Sequence, residues 1–135
     1  MGQYLNIENN IFSVFNTDAW KAESIKTLPN NLVNVNSDGE FIRVSIIPSG
    51  NLTNINAKTG VLIIDIFTKV GIGPKRSITI ADQLDSYLSG KTLSTTQGIS
   101  VQFMGSSLKP NGRDKDNPTL YWYTYTIPFN YFEVQ

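Results

Sequence analysis

The chain has 135 residues, 40% of them hydrophobic, with 11 basic and 11 acidic side chains and neither histidine nor cysteine. This length suits one domain with one core, spanning residues 1–135. Balanced charge argues against a dedicated nucleic-acid binder, and the two absent residue types exclude a disulfide framework, a cysteine zinc site and any Ser-His catalytic arrangement.

The first residues lack a basic segment followed by an apolar run, so no secretory signal is expected. Asn6 stands where an N-myristoylation motif needs Ser or Thr. No apolar run approaches the roughly 18 residues of a membrane span, and the protein is expected in a cytoplasm with no membrane partner. Tyr4 to Phe15 places Tyr4, Ile7, Ile11, Val14 and Phe15 near one face and reads as an amphipathic helix. Asn16-Thr17-Asp18 ends it, and Trp20 is expected to pack back onto it. Residues 24–39 carry turn signals at Pro29-Asn30-Asn31 and Ser37-Asp38-Gly39, and read as an extended arm with little regular structure.

Glu40 to Ile47 alternates and reads as a strand. Pro48 to Asn56 reads as a polar loop, and Ala57 to Lys69 as a second strand, antiparallel to the first. Parity separates two faces. Ile42, Val44 and Ile46, with Leu62, Ile64 and Ile66, form a purely apolar face expected to meet the helices. Phe41, Arg43, Ser45 and Ile47, with Val61, Ile63, Asp65 and Phe67, form a face too apolar for water yet holding one charge per strand. Another element or another subunit is expected to cover it. An Asp65–Arg43 charge pair, within or between subunits, is the expected solution for a carboxylate in an apolar strand.

The stretch from Gly60 to Gly90 reads as strand, tight turn and helix. Gly71, Gly73 and Pro74 punctuate the turn. Ile80, Ala81, Leu84 and Leu88 keep helical spacing, with Ser77 as the expected N-cap and Gly90 just past the end. Lys91 to Thr96 reads as a short strand or connector, Ile99 to Gly105 as a strand, and Ser106 to Pro118 as a long polar loop. Thr119 to Tyr131 is the last strand, with Tyr121, Tyr123, Tyr125, Ile127 and Phe129 on one face. Pro128 cannot donate to a ladder, so an edge or a bulge is expected there. The fold class is α+β: an antiparallel or mixed sheet with two main helices packed on one face.

Few residues point to chemistry. Gly71-Ile72-Gly73-Pro74-Lys75-Arg76-Ser77 opens a helix after a strand, but it matches neither a P-loop nor a dinucleotide fingerprint and reads as a tight turn. Asp82 and Asp85 lie on one helix face without a third carboxylate nearby in sequence, and read as solvated. The aromatic run at Tyr121, Trp122, Tyr123 and Tyr125 suits a half-buried strand better than a stacking platform. No catalytic residue, metal site or cofactor is expected.

The residues Ile64–Phe67, Gly71, Gly73, Ala81, Asp82, Leu84, Tyr87 and Gly90, with an opening helix, the Glu40-Phe41-Ile42-Arg43-Val44 strand and a closing aromatic strand, carry a likeness across most of the chain. The pattern resembles the small tail terminator (tail completion) proteins of long-tailed bacteriophages, the lambda tail terminator type. That resemblance implies a non-enzymatic virion protein, assembled in the host cytoplasm. It implies a hexameric ring at the head-proximal end of the tail, stopping tube growth and joining the head. The tail tube protein and the head-tail connector are then the partners, with DNA passing the lumen without sequence readout. Phe41, Arg43, Asp65 and Phe67 are the candidate subunit interface. Two loops are candidate partner contacts, at Asn51 and Asn54 and at Lys109, Arg113, Asp114, Lys115 and Asp116. A neck or head-completion protein is the alternative, and a small-ligand-binding α+β domain a more distant one.

Overall fold

The computed structural model describes residues 3–23, 25–29, 40–51, 57–71, 74–94, 98–113 and 120–133. In chain order the elements are α1 (Gln3–Phe15), α2 (Asp18–Ala22), β1 (Thr27–Pro29), β2 (Phe41–Asn51), β3 (Ala57–Lys69), α3 (Lys75–Leu88), β4 (Thr92–Ser94), β5 (Ile99–Phe103), β6 (Ser107–Arg113) and β7 (Leu120–Glu133). The strands form one mixed sheet in the order β1-β2-β3-β7-β5-β4, with β6 also paired to β7. The chain is a single α+β unit.

The amphipathic reading of the first helix holds. Ile7, Ile11, Val14 and Phe15 are buried, while Tyr4 remains 65% exposed. Thr17 ends α1 and starts α2 with one side chain: its hydroxyl donates to the Val14 carbonyl at 2.8 Å and accepts from the Trp20 amide at 3.2 Å. Trp20 then packs edge-on against Phe15 and Tyr87, with centroids 5.1 and 5.2 Å away. Its indole donates to Thr27 Oγ1 at 2.9 Å. One buried side chain therefore ties α1, α3 and β1 together with its only polar atom satisfied.

The arm expected over residues 24–39 contains a strand. β1 pairs in parallel with β2, Thr27 opposite Ile42. A three-residue strand ending in Pro29 leaves no alternation to read, and a parallel pairing needs no local turn signal. The turn signals at residues 30–39 lie outside the described residues. The loop expected from Pro48 is also shorter than the sequence suggests, because β2 runs on to Asn51. It does so through a register shift between Ser49 and Asn51, which absorbs Gly50 without ending the pairing.

β3 pairs along its whole length with β7, from Ala57 opposite Phe132 to Lys69 opposite Leu120. Its apolar parity set joins the main core. Ile42, Val44, Leu62, Ile64 and Ile66 are buried with Ile7 and Ile11 of α1, Ile80, Leu84 and Leu88 of α3, and Tyr125, Ile127 and Phe129 of β7. Each fully buried side chain of this size stabilises the fold by about 1.5–3 kcal/mol relative to exposure.

Ser77 is not the N-cap of α3. The helix starts three residues earlier than such a cap would allow, at Lys75 after Pro74, whose φ of −80° already suits helical backbone. Ser77 instead lies inside the first turn, fully buried, with its hydroxyl 2.9 Å from that of Thr68. Gly90 ends the helix with φ of +70°, as its position predicts.

β7 is not an edge strand: β3 lies on one side and β5 and β6 on the other. Pro128 sits where the second partner changes. Phe103 of β5 faces Phe129, and Ser107 of β6 faces Thr126, so three residues oppose two. This is a bulge, and the Met104 amide donates to the Pro128 carbonyl at 3.0 Å. The missing proline N–H therefore falls where no ladder bond is demanded.

Candidate interaction face

The parity face opposite the main core carries the expected interface residues, and the register places them in two neighbouring rows. Leu28, Arg43, Asp65, Thr124 and Lys109 are successive Cα partners across β1, β2, β3, β7 and β6. The next row places Phe41 opposite Phe67 and Phe67 opposite Trp122. Sequence parity placed Arg43 and Asp65 on one face correctly. It did not show that Trp122 and Lys109 share it, because the pairing of β7 with β3 has no local signal and β6 reads as loop.

The expected Asp65–Arg43 pair does not form within the chain, although the two residues face each other. The Arg43 guanidinium lies over the rings of Phe67 and Phe41, at 5.3 and 5.8 Å from their centroids. Asp65 accepts a hydrogen bond of 2.9 Å from the Trp122 indole. Arg43 thus gains two aromatic faces, and Asp65 satisfies the one polar atom of a large half-buried ring. Two cross-strand pairs of mixed character replace one ion pair.

Phe41 and Phe67 present little surface themselves. They stack with centroids 4.6 Å apart and are 3% and 4% exposed, packed with Leu28, Leu120 and Trp122 in a second apolar cluster. Part of this face is therefore covered from within the chain. The remainder is open to different degrees. Arg43, Ser45, Val61, Ile63, Asp65, Thr124 and Thr126 are half-buried, Pro128 is exposed, and Ile47 is 47% exposed.

The two expected partner-contact loops fare differently. Asn51 is the last residue of β2, and Asn54 lies outside the described residues. The segment expected as a loop from Ser106 is largely strand: β6 holds Lys109 and Arg113, both exposed, with Arg113 opposite Tyr121. A register shift between Pro110 and Gly112 accommodates Asn111, whose amide donates to Thr124 Oγ1 at 2.5 Å. Gly112 takes φ of +103°, a backbone state glycine tolerates. Asp114, Lys115 and Asp116 lie outside the described residues.

Asp85 is not a solvated carboxylate. One of its oxygens accepts hydrogen bonds of 2.6 Å from both the Tyr125 and Ser106 hydroxyls. Burial raises the Tyr125 hydroxyl well above the usual phenol range, and the bond to Asp85 adds to that shift. The trio fastens α3 to the β5–β6 corner. Asp82, three residues earlier, is exposed. On the other side of α3, Arg76 and Glu40 form an ion pair with contacts of 2.6 and 2.9 Å.

No protein-family model matches this sequence, and no curated protein matches it. A solved structure matches with a TM-score of 0.67 at 15% identity, covering 100% of this chain and 97% of that one. At that identity the likeness concerns the fold alone. It extends the α+β assignment to the whole chain.

Proposed function

We propose that the protein is a structural component of a phage virion. It closes into a ring, about six chains by the sequence resemblance, on the head-proximal end of the tail tube. The ring ends tube growth, offers the surface for head joining, and leaves a lumen for DNA. The protein has no catalytic role in this reading.

The observation that supports it best is the half-buried sheet face. Arg43, Asp65 and Lys109 alternate in charge along one row, beside Ile47, which is 47% exposed, and Pro128. A closed ring needs two different surfaces that meet head to tail. A face with alternating charge and partly exposed apolar side chains suits one half of such a contact, because it fixes register while burying apolar area. Net charge of zero leaves little repulsion between copies.

The test has two arms. Light scattering across concentration, with negative-stain imaging, should give rings with a mass near about six times the 15.0 kDa chain. Phage particles made without the protein should carry overlong tails. Normal-length tails that fail to join heads would instead identify a neck protein, and particles of normal assembly would overturn the virion reading altogether.

A further inference from the structure

A second feature lies where β3 leaves the sheet. A cavity of about 550 Å³ opens there, lined by Lys69, Gly71, Pro74, Arg113, Tyr121 and Tyr123. The volume falls within the range of small-ligand sites, enough for a few side chains of a peptide. We infer that this cavity is a binding site for an acidic peptide segment of a partner protein, with Lys69 and Arg113 holding carboxylates and the tyrosine pair packing its apolar or aromatic side chains.

The argument starts from charge. Lys69 ends β3 and Arg113 ends β6, on the two flanks of β7. Both are exposed, and neither forms an ion pair among the described residues. No acidic residue stands among the described lining residues. Two cations therefore line one concavity with no acidic partner among the described residues, while Arg76 nearby in sequence is bound to Glu40. The floor adds a second kind of recognition. Tyr121 and Tyr123 are half-buried, with centroids 5.5 Å apart and planes tilted by 46°. They present ring surface and hydroxyl groups to whatever occupies the space. Gly71 and Pro74 supply a wall without long side chains, so a guest backbone can approach closely.

Carboxylates on a peptide fit better than phosphates on nucleic acid. A nucleic-acid groove tracks a backbone with a run of cations, and the protein that carries it is usually basic. Here two cations serve one cavity in a chain of zero net charge. The inference does not depend on ring formation and goes beyond it.

The experiment is fluorescence anisotropy with the full chain and three labelled probes. These are a short peptide alternating glutamate and tyrosine, a lysine-tyrosine peptide of equal length, and an oligothymidylate. The acidic peptide should bind, less tightly as salt rises, and the other two should not. The double variant Lys69→Gln with Arg113→Gln should bind the acidic peptide about tenfold more weakly at an unchanged melting temperature, since both side chains are exposed. A second double variant, Lys21→Gln with Lys91→Gln, removes the same charge from exposed sites that do not line the cavity and should bind like wild type. Failure of the acidic peptide to bind, equal loss in both double variants, or equal or tighter binding of the oligothymidylate would overturn the inference. Loss of ring formation with intact peptide binding would overturn only the virion reading.

Discussion

Gly60→Ala should destabilise the fold although it places a better strand former in a strand. Gly60 lies in β3 between Pro48 of β2 and Phe129 of β7. A Cβ built there would stand 2.5 Å from Phe129 Cζ and 2.8 Å from the Ile47 carbonyl oxygen. Neither neighbour can yield cheaply. The Phe129 ring is fully buried against Phe103 and the core, and the carbonyl belongs to a paired backbone. Overpacking of this kind costs about 1–3 kcal/mol. The entropy gained by replacing a strand glycine returns about 0.5–1 kcal/mol. The net loss is about 1–2 kcal/mol, which lowers the melting temperature by about 4–8 °C for a chain of this length. Gly105→Ala is the matched control, since a Cβ there meets nothing within 4 Å; its effect should stay within about 0.5 kcal/mol. Thermal melts of both variants, followed by far-UV circular dichroism, decide the matter. A Gly60→Ala protein that melts at or above the wild-type temperature would refute the reasoning, because it would mean that Phe129 does not close over bare backbone.

Three further outcomes follow from the contacts already described. Tyr125 has its hydroxyl raised above the ordinary value of 10.0, so the unfolded chain ionises first as pH rises. Stability tied to Tyr125 is full below about pH 10 and is lost progressively above it; alkaline melts of Tyr125→Phe should lack that extra decline, and equal slopes would count against a hydroxyl raised first by burial and then by the Asp85 bond. Double-mutant cycles by urea unfolding should give Asp65 and Trp122 a coupling of about 1.5–3 kcal/mol, the range for a hydrogen bond to a charged group. The Arg43–Asp65 coupling should remain below about 0.5 kcal/mol, and a reversed order would restore the ion pair. Arg76→Gln should cost about 0.5–1 kcal/mol, because the Glu40 pair is about one-third exposed. That cost should shrink at high salt, and a salt-independent loss would point to packing of the Arg76 stem instead.

The long strands were legible because parity survives burial. Leu62, Ile64 and Ile66 alternate cleanly, and β3 runs over the residues the sequence predicts, Ala57 to Lys69. The helix after it was legible from Ile80, Leu84 and Leu88, but not its start, because Ser77 resembles a cap in type while serving as a buried partner of Thr68. β6 was hidden for a different reason. All but one of its residues are exposed, and Pro110 and Gly112 imitate a turn. It is a strand because β7 offers a free ladder, which is information held some ten residues away. The interaction face was half visible. Its parity was correct, whereas the choice between an ion pair and the Trp122 and phenylalanine partners depended on cross-strand register, which no local pattern encodes. Asp85 was misread for the same reason, since Tyr125 lies 40 residues beyond it.

The position of β7 also bears on how the chain is made. β3 is complete at Lys69, but its second neighbour begins only at Leu120. At about 5–20 residues per second, synthesis of the intervening stretch lasts roughly 3–10 seconds. During that time β3 offers an unpaired edge rich in valine and isoleucine, and β5 and β6 lack the strand that orders them. Ribosome stalling or a stop before residue 120 would release a chain with that edge exposed, a template for pairing with its own kind. The hub of this sheet arrives last, so the yield of soluble protein should depend on how quickly the final aromatic strand is delivered.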